Sequence, residues 1–328
     1  MKFQLTMKHL AIAISLVVIN FVNCFAQSLE YPNKIGKIIA PYSPGGTVDA
    51  LAREMALALT NALGKSFIVE NKPGAGGNVG LAALAKAPKD GYTLGIGAAN
   101  MLITNRFVYP SLPFDTLKDF VPIAFIGRVP FVLVVNKSVK AENIRELIAL
   151  VKLKQELYNF GSSGIGNTGH LYGELLKIKT GIEMQHIPFK SSGEATQELV
   201  TGRIQIQFGT PIEVMPHIIK GSIRAISVAG AQRLALLPST PTLSEFGIFG
   251  FESPTWFGLI APTGTPKDVI NLLNNEIQKA LKSTLLKQRL EQSGLEPQYM
   301  TPEQFSLFLN EEINKWEQIV KSSDLKIN

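Results

Sequence analysis

Residues 37–49 read Lys37-Ile38-Ile39-Ala40-Pro41-Tyr42-Ser43-Pro44-Gly45-Gly46-Thr47-Val48-Asp49. Lys37 to Pro41 is a short β-branched run and reads as a strand. Val48 to Leu63 has apolar residues at helical spacing and ends before Gly64, a C-cap residue. Gly45 and Gly46, in the turn between them, can adopt positive φ and let a ligand approach the backbone. Thr47 is placed as N-cap, leaving first-turn N–H groups and the positive helix end free to attract a carboxylate. The same residues would also serve as a plain tight turn and cap.

This strand–turn–helix unit recurs, which is the α/β signature. Ser66 to Glu70 and Thr93 to Ile96 read as strands and Asn78 to Lys86 as a helix. Further on, strands are expected near Tyr158 to Gly161, Met184 to Ile187, Ile204 to Phe208 and Ala225 to Val228. Helices are expected at Ala141 to Lys154, Thr168 to Lys179 and Gly193 to Thr201. Between the two sets, Val121 to Val135 (VPIAFIGRVPFVLVV) is β-rich but broken by Gly127 and Pro130, and reads as the crossing from one lobe to the next. After a strand at Trp256 to Ala261 come two amphipathic helices, Pro266 to Ser283 and Pro302 to Ser322, with proline at the first turn. This tail is expected to pack back on the first lobe. The lobes are expected at 27–127 plus 253–328 and at 128–252, with no fixed-period repeat.

The N-terminus is different in kind. Lys2 and Lys8 precede an apolar run from Leu10 to Val22, and Cys24-Phe25-Ala26 supplies small residues before Gln27. This reads as a cleavable signal peptide, residues 1–26. The run of roughly 13 residues is shorter than the about 20 that span a bilayer. Cys24 admits a lipoprotein reading, against which Asn23 stands as a bulky neighbour. Cleavage after Ala26 removes the only cysteine, so the mature chain has no disulfide, thiolate nucleophile or thiolate metal site. The formal charge is +6 for the whole chain, and loss of Lys2 and Lys8 leaves 30 basic against 26 acidic residues. Basic residues are scattered without interleaved aromatics, which gives no support for a nucleic-acid groove.

Glycine, serine and threonine cluster between strands and helices, where α/β sheets bind ligands. Asn71 to Gly80 (NKPGAGGNVG) superficially matches a dinucleotide fingerprint, but G-x-G-x-x-G counted from Gly74 needs glycine where Val79 stands. It reads better as a turn lining a cleft, with Asn78 as cap. Gly97 to Asn100 is a third cluster. Gly161 to His170 (GSSGIGNTGH) is a fourth and sets serines near a histidine. The nucleophile elbow G-x-S-x-G fails at Ile165, and no acid is placed to orient His170. Ser162, Ser163 and Thr168 are therefore read as hydrogen-bond donors to an anion, with His170 facing the cleft or packed beneath it. Phe189-Lys190-Ser191-Ser192 and Gly209-Thr210-Pro211 lie at further strand ends; Lys190 either pairs with a ligand carboxylate or is solvated. His9, His170, His186 and His217 show no H-x-x-x-H or H-E-x-x-H spacing, so no metal site or cofactor is expected.

Taken together, these loops resemble the Bug-type receptors, the extracytoplasmic solute-binding proteins of tripartite tricarboxylate transporters. The resemblance runs from about Tyr31 almost to the C-terminus. It rests on the ordered motifs YPNKIGKIIAPYSPGGTVDALAR, VENKPGAGGNVG, KDGYTL, YPSLPFDTLKDFVPIAFIG, YNFGSSGIGNTGH and SPTWFGLIAPTGTP. It implies a type II periplasmic-binding-protein fold, two α/β lobes with a ligand cleft between them. It further implies a periplasmic, monomeric receptor that captures a small carboxylate, performs no chemistry and delivers the solute to the membrane permease subunits. The alternatives are a ligand-presenting partner of a membrane sensor kinase, or a Ser/His hydrolase. Carried onto this chain, the contacts would be Ser43, Gly46, Thr47, Asp49, Gly76, Asn78 and Ala98 from the first lobe. The second would supply Ser162, Ser163, Asn167, Thr168, His170, Lys190 and Ser191. Many relatives have aspartate at the position of Gly209, so its absence here argues against an amino-acid ligand of the usual kind. Phe189-Lys190-Ser191, in place of Tyr-Lys-Gly, makes the rim more apolar.

Overall fold

The computed structural model describes residues 31–322, so the signal-peptide reading and Cys24 lie outside the described residues. The chain order begins β1 (Gly36–Ala40), α1 (Thr47–Leu63), β2 (Phe67–Asn71), α2 (Asn78–Ala85) and β3 (Thr93–Ala98). A π-helical turn (Asn100–Thr104) runs into the short α3 (Asn105–Val108), and α4 (Thr116–Asp119) leads into β4 (Phe120–Val129). Next come β5 (Phe131–Asn136), α5 (Ile144–Leu153), β6 (Asn159–Ser162), α6 (Thr168–Thr180), β7 (Gln185–Pro188) and α7 (Ser192–Thr201). The chain continues through β8 (Ile206–Gly209), α8 (Pro211–Ile219), β9 (Ile223–Ala229) and β10 (Thr255–Pro262). It ends with α9 (Lys267–Lys282), α10 (Thr284–Gln292), β11 (Glu296–Pro297) and α11 (Pro302–Ser322).

The strands form two sheets, in the orders β11-β4-β10-β3-β1-β2 and β7-β6-β8-β5-β9. β1, β2 and β3 are parallel, as are β6, β7 and β8, so their carboxyl ends lie on one edge of each sheet. β10 runs antiparallel to β3 and β4, and β5 runs antiparallel to β8 and β9. Pro130 marks the passage from the first sheet to the second, as the interrupted stretch predicts, and β10 brings the chain back. Both sheets belong to one compact unit beginning at Ile35.

β5 shows why the second sheet forms. Phe131, Leu133 and Val135 face one apolar cluster with Phe160, Tyr172 and Phe208, whereas Val132 and Val134 face another with Leu199 and Val214. Because both faces are covered, the strand is apolar throughout rather than alternating. The tail closes on the first sheet. Phe305 of α11 meets Phe125 and Trp256 edge-on at 5.3 and 5.7 Å, and Asn274 of α9 donates to the Ile123 carbonyl at 2.6 Å. α10, between the two long tail helices, is an element the sequence reading omits.

Two cap assignments need correction. Gly46, in extended conformation, is the N-cap of α1, so Thr47 is its first helical residue. Gly77, at φ 96°, holds that place before α2, so Asn78 does not cap its helix. In each case glycine occupies the non-helical cap position and frees the polar side chain that follows for tertiary contacts. Gly64 closes α1 as expected, at φ 69° with its N–H donating to Thr60.

Candidate functional site

The carboxyl ends of the parallel strands from both sheets meet around one cavity of 40 Å³. Four helices begin there. α1 contributes Gly46, Thr47 and Val48, and α6 contributes Asn167 and Thr168. α7 brings Ser192, and α8 brings Thr210 and Glu213. Each start aims the positive end of a helix dipole at the cavity, and the one acid among the described residues of its wall, Glu213, takes up the Thr47 and Thr210 N–H groups. Among the described residues no Lys or Arg lines it. The rest of the wall is Tyr42, Ala98, Asn100, Phe131, Ser163, Phe208, Thr255 and Phe257.

The lobes touch through hydrogen bonds of high sequence separation. Thr47 donates its N–H (2.9 Å) and hydroxyl (2.6 Å) to Glu213 Oε1, and Thr47 Oγ1 lies 2.5 Å from Thr210 Oγ1. The Ser192 hydroxyl donates to the same Glu213 oxygen. On the flanks, the Ser43 N–H donates to the Lys190 carbonyl at 3.3 Å, Tyr109 to the Ile165 carbonyl at 3.0 Å and Thr104 to the Gly166 carbonyl at 3.3 Å.

Of the residues expected at the site, Gly46, Thr47, Ala98, Ser163, Asn167 and Thr168 line the cavity. Ser43, Lys190 and Ser191 border a separate groove on the flank, at the Ser43–Lys190 contact between the lobes. The Lys190 side chain is exposed, and Ser191 caps α7 by accepting from the Glu194 N–H. The others support the loops. Asp49 accepts from Arg53, Asn71 and the Gly45 N–H. Burial pushes its carboxyl up, but these bonds and the Arg53 charge outweigh burial and hold it below its ordinary value. The Gly76 carbonyl accepts from Tyr42, Asn100 and Asn105, and Asn105 also donates to Asn78 Oδ1 at 2.7 Å. Gly76 needs φ 61°, and an added Cβ would lie 3.0 Å from the Ile165 carbonyl across the cleft. At Gly209 an added Cβ would lie 2.5 Å from Val214 Cγ1, so a larger residue there requires that side chain to shift.

Beneath the second-lobe loop, Ser162 Oγ lies 2.6 Å from His186 Nε2 and accepts from Asn167 and the Gly164 N–H. His170 stacks on His186 with centroids 4.0 Å apart, and its Nδ1 accepts from the Gly166 N–H, which requires that nitrogen unprotonated. Burial, then the neighbouring His170 and Lys177, push His186 down to about 3; burial also lowers His170. Ser162 is buried and is not among the residues of the cavity wall, and its bonds to His186, Asn167 and the Gly164 N–H shape the loop.

Residues 51–325 match the family described as the tripartite tricarboxylate transporter family receptor. The chain belongs to this receptor family. The receptor is 35% identical over 298 residues to Protein BugT of Bordetella pertussis, covering 90% of this chain and 91% of that protein. Among solved structures it is similar to Rpa4515 of R. palustris with adipate, at TM-score 0.85 and 34% identity, over 89% of this chain and 97% of that one. It is also similar to MatC of Rhodopseudomonas palustris with bound malate, at TM-score 0.84 and 28% identity, over 88% and 100%. These likenesses agree with the two-lobed α/β architecture.

The cavity residues of the receptor that sequence reasoning passes over have two causes. Thr255 and Phe257 start β10 and Phe131 starts β5; these antiparallel strands bring their amino ends to the edge where parallel strands end. Tyr42, Asn100, Ser192 and Thr210 fall inside the expected loop clusters and were legible in kind. Glu213 was not, because it lies one turn into α8, a helix hidden by prolines at 211 and 216.

Proposed function

We propose that the receptor captures a small carboxylate in the periplasm and hands it, unchanged, to the membrane subunits of a tripartite transporter. The observation that carries this reading is the convergence of four helix N-termini, two of them bearing the glycine- and serine-rich loops, on one cavity without a cation. Such an arrangement binds anions through N–H groups and hydroxyls. Binding of adipate and malate by the similar R. palustris proteins supports a carboxylate as the ligand class. The proposed lobes are 27–127 plus 253–328 and 128–252, hinged near Pro130 and before β10. Ser43, Lys190 and Ser191 are proposed as rim residues that engage on closure, and Asp49, Gly76, Asn78, Ser162, His170 and Gly209 as supports of the binding loops. A solute favours the closed form only through contacts it makes to both lobes. Export through a cleavable signal, a monomeric state and delivery to a permease rather than to a sensor kinase complete the proposal.

The test is thermal unfolding of refolded, ligand-free protein against a panel of mono-, di- and tricarboxylates. A ligand at 100 times its Kd stabilises by about 2.7 kcal/mol, a shift of several degrees. Native mass spectrometry of the purified protein should show a small acid bound. Absence of any shift across the panel, with no small molecule retained, would overturn the carboxylate reading.

A further inference from the structure

We propose that Glu213 is a resident anion of the cleft. Its carboxylate occupies, on the Thr47 N–H at the start of α1, the position that a solute carboxylate would take, so solute and Glu213 compete for Thr47. This rests on the carboxylate-receptor reading above.

Glu213 uses its two oxygens differently. Oε2 accepts from the Thr210 N–H at 3.2 Å, the bond a glutamate one turn into a helix makes to its own cap. Oε1 turns away from α8 and accepts from the Thr47 N–H, the Thr47 hydroxyl and the Ser192 hydroxyl. A glutamate that only caps its helix needs none of these. The side chain is held in a residue only 7% exposed, and no Lys or Arg among the described residues lines the cavity. Its charge is therefore satisfied as a solute anion's would be, by N–H groups, hydroxyls and helix ends.

Donor count and charge set the two anions in competition, and the cavity must widen to admit a solute. One water needs about 10–15 Å³, so 40 Å³ holds about three waters and no four- or six-carbon acid. The Thr47 N–H cannot donate fully to two carboxylates, and two such charges a few ångströms apart in a largely buried site repel. A solute carboxylate that takes the Thr47 N–H parts Glu213 from it. Until then the contact bridges the lobes, and apparent affinity falls by the fraction of molecules with Glu213 withdrawn.

The experiment uses the full mature chain, ligand-stripped, as wild type, Glu213→Ala and Glu213→Gln. Glu213→Gln keeps the volume and an oxygen for Thr210, and carries the test if the alanine variant folds poorly. Small-angle scattering measures the free proteins; calorimetry measures adipate and malate binding. The expected result is a larger radius of gyration for the free variants and about tenfold tighter binding of whichever acid the wild type binds. An unchanged radius would show that Glu213 does not hold the lobes, and weaker or equal binding would show that it does not compete with solute; either overturns the proposal. If neither acid binds any of the three proteins, the carboxylate reading loses its support while scattering still decides the role of Glu213.

Discussion

A Cβ on Gly193 would collide with the carbonyl oxygen of Gly45, backbone against backbone across the cleft. No rotamer change relieves such a clash, so Gly193→Ala should block full closure around solute; loss of two-lobe contacts in the bound form outweighs release of Glu213, and binding should weaken by about tenfold or more. Calorimetry on the variant checks this; unaltered affinity would mean that binding tolerates a wider cleft. Asp49 acts differently, through stability. Its carboxylate ties Arg53, Asn71 and the Gly45 N–H to one point beneath the binding turn. Asp49→Asn should cost about 1–2 kcal/mol in denaturant unfolding at pH 7. Because the folded carboxyl titrates below its unfolded value, that contribution is present above about pH 4 and lost as pH falls through the folded value. Wild type and variant should converge in acid. A gap that persists at pH 2 would place the effect elsewhere.

The second-lobe helix α6 is seated on β6 and β7 through a stack of Phe160, His186 and His170. With His186 lowered to about 3, the unfolded chain binds a proton more readily than the folded one between that value and about 6.5. Stability therefore rises with pH across this window, and the contribution is lost as pH falls toward 3. His186→Gln, which keeps a polar partner for Ser162, should reduce the slope of unfolding free energy against pH by about one proton. A slope unchanged from wild type would show that His186 is protonated as readily in the folded protein. Element positions were largely legible because a strand needs a short β-branched run and a helix an apolar stripe, both local properties. The caps were misplaced by one residue, since Gly46 and Thr47 are both competent and only the backbone decides which stays outside the helix.

The first lobe is closed by the end of the chain. Phe305 packs over Gly258, where an added Cβ would collide with its ring, and against Phe125 and Trp256. Phe305→Ala should cost about 3–5 kcal/mol by emptying this contact, read by denaturant unfolding with retained solute binding in the folded fraction; a loss under about 1 kcal/mol would mean that the tail is dispensable to the sheet. Pattern alone determined the α/β class, the glycine-rich turns, the break at Pro130 and the tail helices, because periodicity and backbone freedom are set by neighbouring residues. Only the tertiary structure decided which turns face each other, that antiparallel strands add Phe131, Thr255 and Phe257 to the wall, and that Glu213 reaches Thr47. Those contacts join residues more than a hundred positions apart, and their geometry follows from sheet order and lobe closure, which no local spacing encodes.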